Sequence, residues 1–168
     1  MADLRACFES LGYGDVKTLL NSGNVVFSAP AAGAGKAAAR IEKTVESKHG
    51  LKSRVTVLTG AEVDAIVKEN PFGKVANHPS RFFVTVLHDP ADRAKLKPLQ
   101  SRKWSPEAFV VGKRVAYCWC PPGLLESPLM ARGRANPQGR RHHTQLGDDA
   151  ETPRSPDRQL LTPRLANR

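Results

Sequence analysis

Asn21-Ser22-Gly23-Asn24 puts two carboxamides, a hydroxyl and a glycine into four consecutive residues. A turn of this composition exposes backbone amides beside polar side chains and can hold an anion or another polar ligand. The same residues also suit a plain hairpin turn, because Gly and Asn accept the positive φ that tight turns require. A second group is basic: Arg81, Arg102, Lys103, Lys113 and Arg114 could form a surface for an anionic partner, or could be ordinary solvated charge.

Other chemistry-bearing residues point to less. Cys118 and Cys120 stand two apart on an expected strand and so share a face, where they could hold a soft metal with Cys7 as a further ligand. Cysteines of this kind more often serve as small buried apolar residues. His142-His143 has no Cys or carboxylate partner at a familiar ligand spacing. "AGAGKAAA" (32–39) fails as a phosphate loop, since the pattern needs Gly at position 30 and Ser or Thr at 37, where Pro30 and Ala37 stand. His49, His78 and His88 are scattered, and no Ser-His-Asp, Cys-His or paired-carboxylate set stands out. The sequence therefore names no catalytic residue, no metal site and no cofactor.

The elements that would position these residues can be read from periodicity. Leu4, Phe8 and Leu11 mark a helix over 3–12. Val16–Leu20 and Val25–Ser28 form a hairpin around the polar turn. Residues 37–49 make an amphipathic helix through Ile41 and Val45, and "SRVTVLT" (53–59) alternates as a strand with Val55 and Val57 inward. Thr59 and Glu62 match a capping box that opens the next helix, which stops before Pro71. "RFFVTVLH" (81–88) is the strongest strand, a short helix runs from Asp89-Pro90 to about Leu99, and residues 107–120 form a second hairpin. "LLESPLM" leads into a last helix. This order predicts an α+β fold: a ferredoxin-like β-α-β-β-α-β half lacking its first strand, then a second, smaller α+β subdomain. The subdomains fall at about 1–59 and 60–130. In such a sheet the first strand is internal, so its absence predicts a row of unpaired amides and carbonyls, and a free-standing domain is not expected to begin at residue 1.

The 168 residues carry a net charge of +10. No stretch approaches the ~20 apolar residues of a membrane helix, and the opening "MADLRACFES" lacks the apolar core of a signal peptide. Three cysteines do not make a disulfide framework, so a reducing, cytoplasmic setting is expected. The charge is unevenly spread. Residues 1–130 hold 18 Lys and Arg against 12 Asp and Glu, while residues 131–168 hold 8 Arg, no Lys and 4 acids. Val, Ile, Met, Phe, Tyr and Trp are absent from that last stretch, which predicts a disordered tail.

"MADLRACFESLGYGDVKTLLNSGNVVFS", "ENPF" (69–72), "RFFVTVL", "FVVGKRVAY" and "SPLM" (127–130) occur in an order that resembles a bacterial family, the domain of unknown function numbered 1697. The resemblance covers about residues 1–130. It implies an opening strand and Arg-Gly loop before residue 1, and a segment like "TTRNWNTVTKL" after "SPLM"; neither is in this chain. It also implies that those two parts and the Asn-Ser-Gly-Asn turn are neighbours around a polar pocket. Synonymous codons exist for residues 138–153 whose reading from the second base gives K-A-D-A-T-T-R-N-W-A-T-M-L-K-L. A one-base frameshift between about Met130 and Gln138 is therefore expected, and the coding DNA tests it.

Two functions follow as expectations. The first is a non-catalytic binding module for an anionic or polar ligand, which takes a nucleic acid, a nucleotide-like or other small anion, or a protein through the basic face. The second is a small-molecule enzyme with its polar pocket at the Asn-Ser-Gly-Asn turn. A truncated, frameshifted gene would yield a product with neither.

Overall fold

The structure, a computed structural model, describes residues 2–19, 23–29, 34–135, 143–145 and 158–165. Its elements run α1 (Ala2–Ser10), β1 (Gly14–Leu19), β2 (Asn24–Ser28), α2 (Ala34–His49), β3 (Ser53–Thr59), α3 (Gly60–Lys68), β4 (Phe82–Val86), α4 (Asp92–Gln100), β5 (Ala108–Val111), β6 (Val115–Trp119), α5 (Pro128–Ala135), β7 (His143–Gln145) and β8 (Arg158–Leu165). The fold is α+β, and the chain forms two compact units, 1–65 with 151–168, and 66–150.

In the first unit the four-stranded sheet has the order β1-β2-β8-β3, all pairs antiparallel. Its core is a ring cluster: Phe27 of β2 lies 5.1 Å from Phe8 of α1 and 4.7 Å from Tyr13, centroid to centroid. Ile41 and Val45 of α2 and Val55 of β3 close the same cluster. The expected inward alternation of β3 is only partly met, because Val55 and Leu58 are fully buried while Val57 is half-buried. Every step from sequence to element is local here. The Thr59–Glu62 box forms as expected, with Thr59 N–H donating to Glu62 Oε2 at 2.8 Å and Glu62 N–H to Thr59 Oγ1 at 3.3 Å.

The strand order corrects one expectation. In a β-α-β-β-α-β sheet the first strand lies between the third and the fourth, here between β2 and β3. That position is not an open row of unpaired groups: β8 fills it, with four residue pairs to β2 from Val25↔Leu161 to Ser28↔Arg158 and seven to β3 from Ser53↔Leu165 to Thr59↔Gln159. Residues 143–145 and 158–165, within the stretch expected to be disordered, are strands. The physical reason is that a slot between two strands offers backbone donors and acceptors to any extended segment, whatever its side chains.

Pro163 tests this placement. A proline lacks the amide that a central strand normally gives to its ladder. Val55, its partner on β3, donates its own N–H away from β8, to Glu42 Oε1 at 2.7 Å. Antiparallel pairs alternate between bonded and non-bonded, so the nitrogen of Pro163 faces the β2 side. The β2 ladder has ended by then, at Val25↔Leu161. The proline therefore stands where no N–H is called for.

In the second unit the sheet order is β5-β6-β4-β7, again antiparallel throughout. The inner strands β4 and β6 are buried along nearly their whole length, as apolar runs such as "FFVTV" and "VAYCW" require. One face packs Phe83, Phe109, Cys118 and Cys120 against Leu96 of α4 and Leu129 and Met130 of α5. On β4 and β6, the Phe82 and Tyr117 rings stack at 6.3 Å, and Tyr117 donates its hydroxyl to Ile66 O at 2.8 Å. No helix among the described residues is long and apolar enough to cross a membrane.

Candidate anion-binding site

The second unit carries a surface pocket of about 450 Å³ lined by Arg93, Lys97, Gln100, Ser101 and Val111. Its position follows from how α4 and β5 are built. Leu96 is the buried anchor of α4, and Arg93, Lys97 and Gln100 recur at i, i+4 and i+7 and so share an exposed face that flanks it. β5 is the edge of its sheet. Gly112 N–H bonds Val115 O at 2.8 Å at the hairpin end, so by alternation the amides of Phe109 and Val111 point outward from the sheet. Gln100 Oε1 accepts the Val111 N–H at 3.2 Å and thereby covers part of the exposed edge.

Charge in this pocket is unbalanced. Asp92, the one acid of α4, is paired with Lys95 at 2.7 Å. Arg93 and Lys97 have no ion-pair partner among the described residues, and the same holds for Arg102 and Lys103, exposed in the turn that follows. Trp104, which donates its indole N–H to Leu99 O at 2.7 Å, ties that turn to the helix end.

The residues singled out from sequence fall in several places. Asn21 and Ser22 lie outside the described residues. Gly23 has φ 80°, the left-handed conformation that makes glycine the natural choice in this turn. Asn24 opens β2 and is 5 % exposed, so its side chain belongs to the strand's packing and not to an open turn. Arg81 is half-buried, with its guanidinium against Gly123, whose φ of 106° and missing Cβ let the Pro121-Pro122-Gly123 turn pass over it. Lys113 is exposed but ion-paired with Glu69 at 2.7 Å, and Arg114 is half-buried in the β5–β6 turn. Of the five basic residues proposed from sequence, Arg102 and Lys103 adjoin the pocket in the chain. Arg93, Lys97 and Gln100 were not singled out; their spacing on one helical face was the available signal.

The cysteines are core residues. Cys7, Cys118 and Cys120 are buried and reduced. Burial pushes the Cys120 thiol up to about 11, the nearby Glu107 carboxylate adds to the rise, and the hydrogen bond from Ser127 Oγ at 3.5 Å offsets part of it. A thiol so strongly protonated at neutral pH is a poor nucleophile. Burial likewise raises Cys7, with Lys48 working in the opposite direction. Among the described residues no three His, Cys, Asp or Glu side chains come together as a metal site, and His142 lies outside them.

Glu107 has a structural task. It is 6 % exposed, its Oε2 accepts the Leu129 N–H at 3.0 Å, and Ser127 Oγ accepts the Met130 N–H at 3.0 Å. The two side chains together cap the start of α5, where backbone amides have no helical acceptor. Glu107→Ala leaves the Leu129 amide buried and unbonded and is expected to cost about 1–3 kcal/mol in urea denaturation. Glu107→Gln keeps an acceptor and is expected to cost less; equal losses for the two would show that the cap is not the cause.

Among known proteins, no curated protein and no solved structure matches the chain. A family model described as "Protein of unknown function (DUF1697)" matches residues 1–117. That stretch runs from α1 into β6 and includes every residue lining the α4 pocket. Covering well over half of the 168 residues, the match shows that the chain belongs to this family.

Proposed function

We propose that the protein is a non-catalytic binding module for an anionic ligand, which it takes at the exposed face of α4. The observation that supports this most directly is the pairing of Arg93 and Lys97 on successive turns of one helix, both lining one pocket and neither ion-paired among the described residues. Solvated lysines and arginines are common on helices; here the two line a concavity together with a carboxamide, a hydroxyl and an apolar side chain. A pocket of this size suits a small molecule. Among the described residues that line it there is no aromatic ring on which a base could stack, which favours a small anion over single-stranded nucleic acid.

Arg93→Glu/Lys97→Glu reverses the charge of the pocket without touching a buried side chain. Titration with small anions, followed by thermal unfolding, is expected to raise the melting temperature of the wild-type protein and leave the variant unmoved. A ligand present at about a hundred times its Kd contributes roughly 2.7 kcal/mol to the folded state. Equal responses of the two proteins would overturn the reading. Binding confined to DNA or RNA, with an affinity falling steeply as salt rises, would replace it with a nucleic-acid interface.

A further inference from the structure

The donor and acceptor pattern of the α4 pocket goes beyond its charge. Resting on the anion-binding reading above, we infer that the ligand is a phosphate monoester of a small polyhydroxylated molecule. Arg93 and Lys97 are separated by one turn, roughly 6 Å along the axis, close enough to converge on a single dianionic group. Arg offers a planar fork of N–H donors and Lys a mobile point charge, the two complements of a phosphoryl group. Gln100 supplies the third element. Its Oε1 accepts the Val111 N–H, which fixes the amide by its oxygen and leaves both hydrogens of the NH₂ available to donate to a ligand. Arginine, ammonium and carboxamide thus provide donors for the three terminal oxygens of a phosphate monoester. A carboxylate has only two oxygens to fill the same set.

Ser101 reads the other way. Its hydroxyl hydrogen is directed to the α4 end, toward Lys97 O and Pro98 O at 3.3 Å each. The Oγ lone pairs remain, and they accept. A partner for them must donate, as the hydroxyl of a polyol does and a second phosphoryl or carboxylate group does not. Val111 completes the lining with an apolar surface suited to the C–H face of a sugar-like body. A volume of about 450 Å³ accommodates a molecule of that size.

Isothermal titration of the full-length protein with a hexose monophosphate, inorganic phosphate, succinate and a short oligothymidylate tests the assignment. The hexose monophosphate is expected to bind saturably and at least tenfold more tightly than inorganic phosphate, with succinate weaker still. Gln100→Glu retains an acceptor for Val111 but turns the facing group from donor to anion. It is expected to weaken the hexose monophosphate at least tenfold with the melting temperature unchanged, whereas Gln100→Lys, which restores a donor, recovers part of the loss. If succinate or inorganic phosphate binds as tightly as the hexose monophosphate, the monoester assignment fails and the anion pocket stands. If none of the small anions binds, both fail. If Gln100→Glu binds the hexose monophosphate as wild type does, the assigned donor pattern is wrong.

Discussion

Phe27→Ala is expected to cost about 3–5 kcal/mol, the usual range for deleting a fully buried aromatic ring. Phe27 has no exposed surface and touches two other rings, Phe8 from α1 and Tyr13 just ahead of β1. Its removal takes the centre out of a cluster that joins α1, α2 and the sheet of the first unit. Against a total stability of roughly 5–15 kcal/mol for a typical protein, the loss leaves little margin. Both tryptophans, Trp104 and Trp119, belong to the second unit, so the first must be followed by circular dichroism of its helices or by amide exchange. Phe27→Leu, which retains an apolar side chain of comparable length, is expected to cost well under half as much. A loss below about 1 kcal/mol for Phe27→Ala would mean that these rings do not form a packed core.

Thr162→Pro is expected to disrupt the first unit by about 3 kcal/mol or more, while the neighbouring Pro163 is tolerated. The contrast rests on register alone. Because Val55 turns its N–H away from β8, the next pair along, Thr56↔Thr162, is a bonded one, and Thr162 gives its amide to β3. A proline there removes that bond and presses its ring on the ladder. Amide exchange at Thr56 and Leu58 on β3 is expected to quicken by an order of magnitude or more, since both lie opposite β8 in bonded pairs. Unchanged exchange at Thr56 and Leu58 would show that β8 is not seated between β2 and β3.

Local features of this fold were legible in the sequence wherever neighbouring residues decide the outcome. The Thr59–Glu62 capping box needs only two side chains three residues apart, and it forms. Gly23 carries the positive φ that its hairpin turn demands. The strand "SRVTVLT" begins and ends as its alternation predicts. The pocket was not legible, because Arg93, Lys97 and Gln100 look on paper like any solvated helical face. What gathers them around a pocket is Val111, a residue of another element whose edge amide engages Gln100. The five basic residues proposed from sequence were separated in the same way. Arg81 lies beneath a glycine turn and Lys113 pairs with Glu69, while Arg102 and Lys103 stay open beside α4.

The residues by themselves determined the helices, the hairpins, the α+β class and the family, because periodicity, capping and turn chemistry act over a few positions and are written into their order. The tertiary structure alone decided two things. It placed 158–165, which carry a proline and little β propensity, as a central strand, since a backbone slot selects for extended conformation and register and not for side-chain type. It also separated paired cations from unpaired ones, since charge compensation depends on distance across space, which spacing along the chain does not reveal.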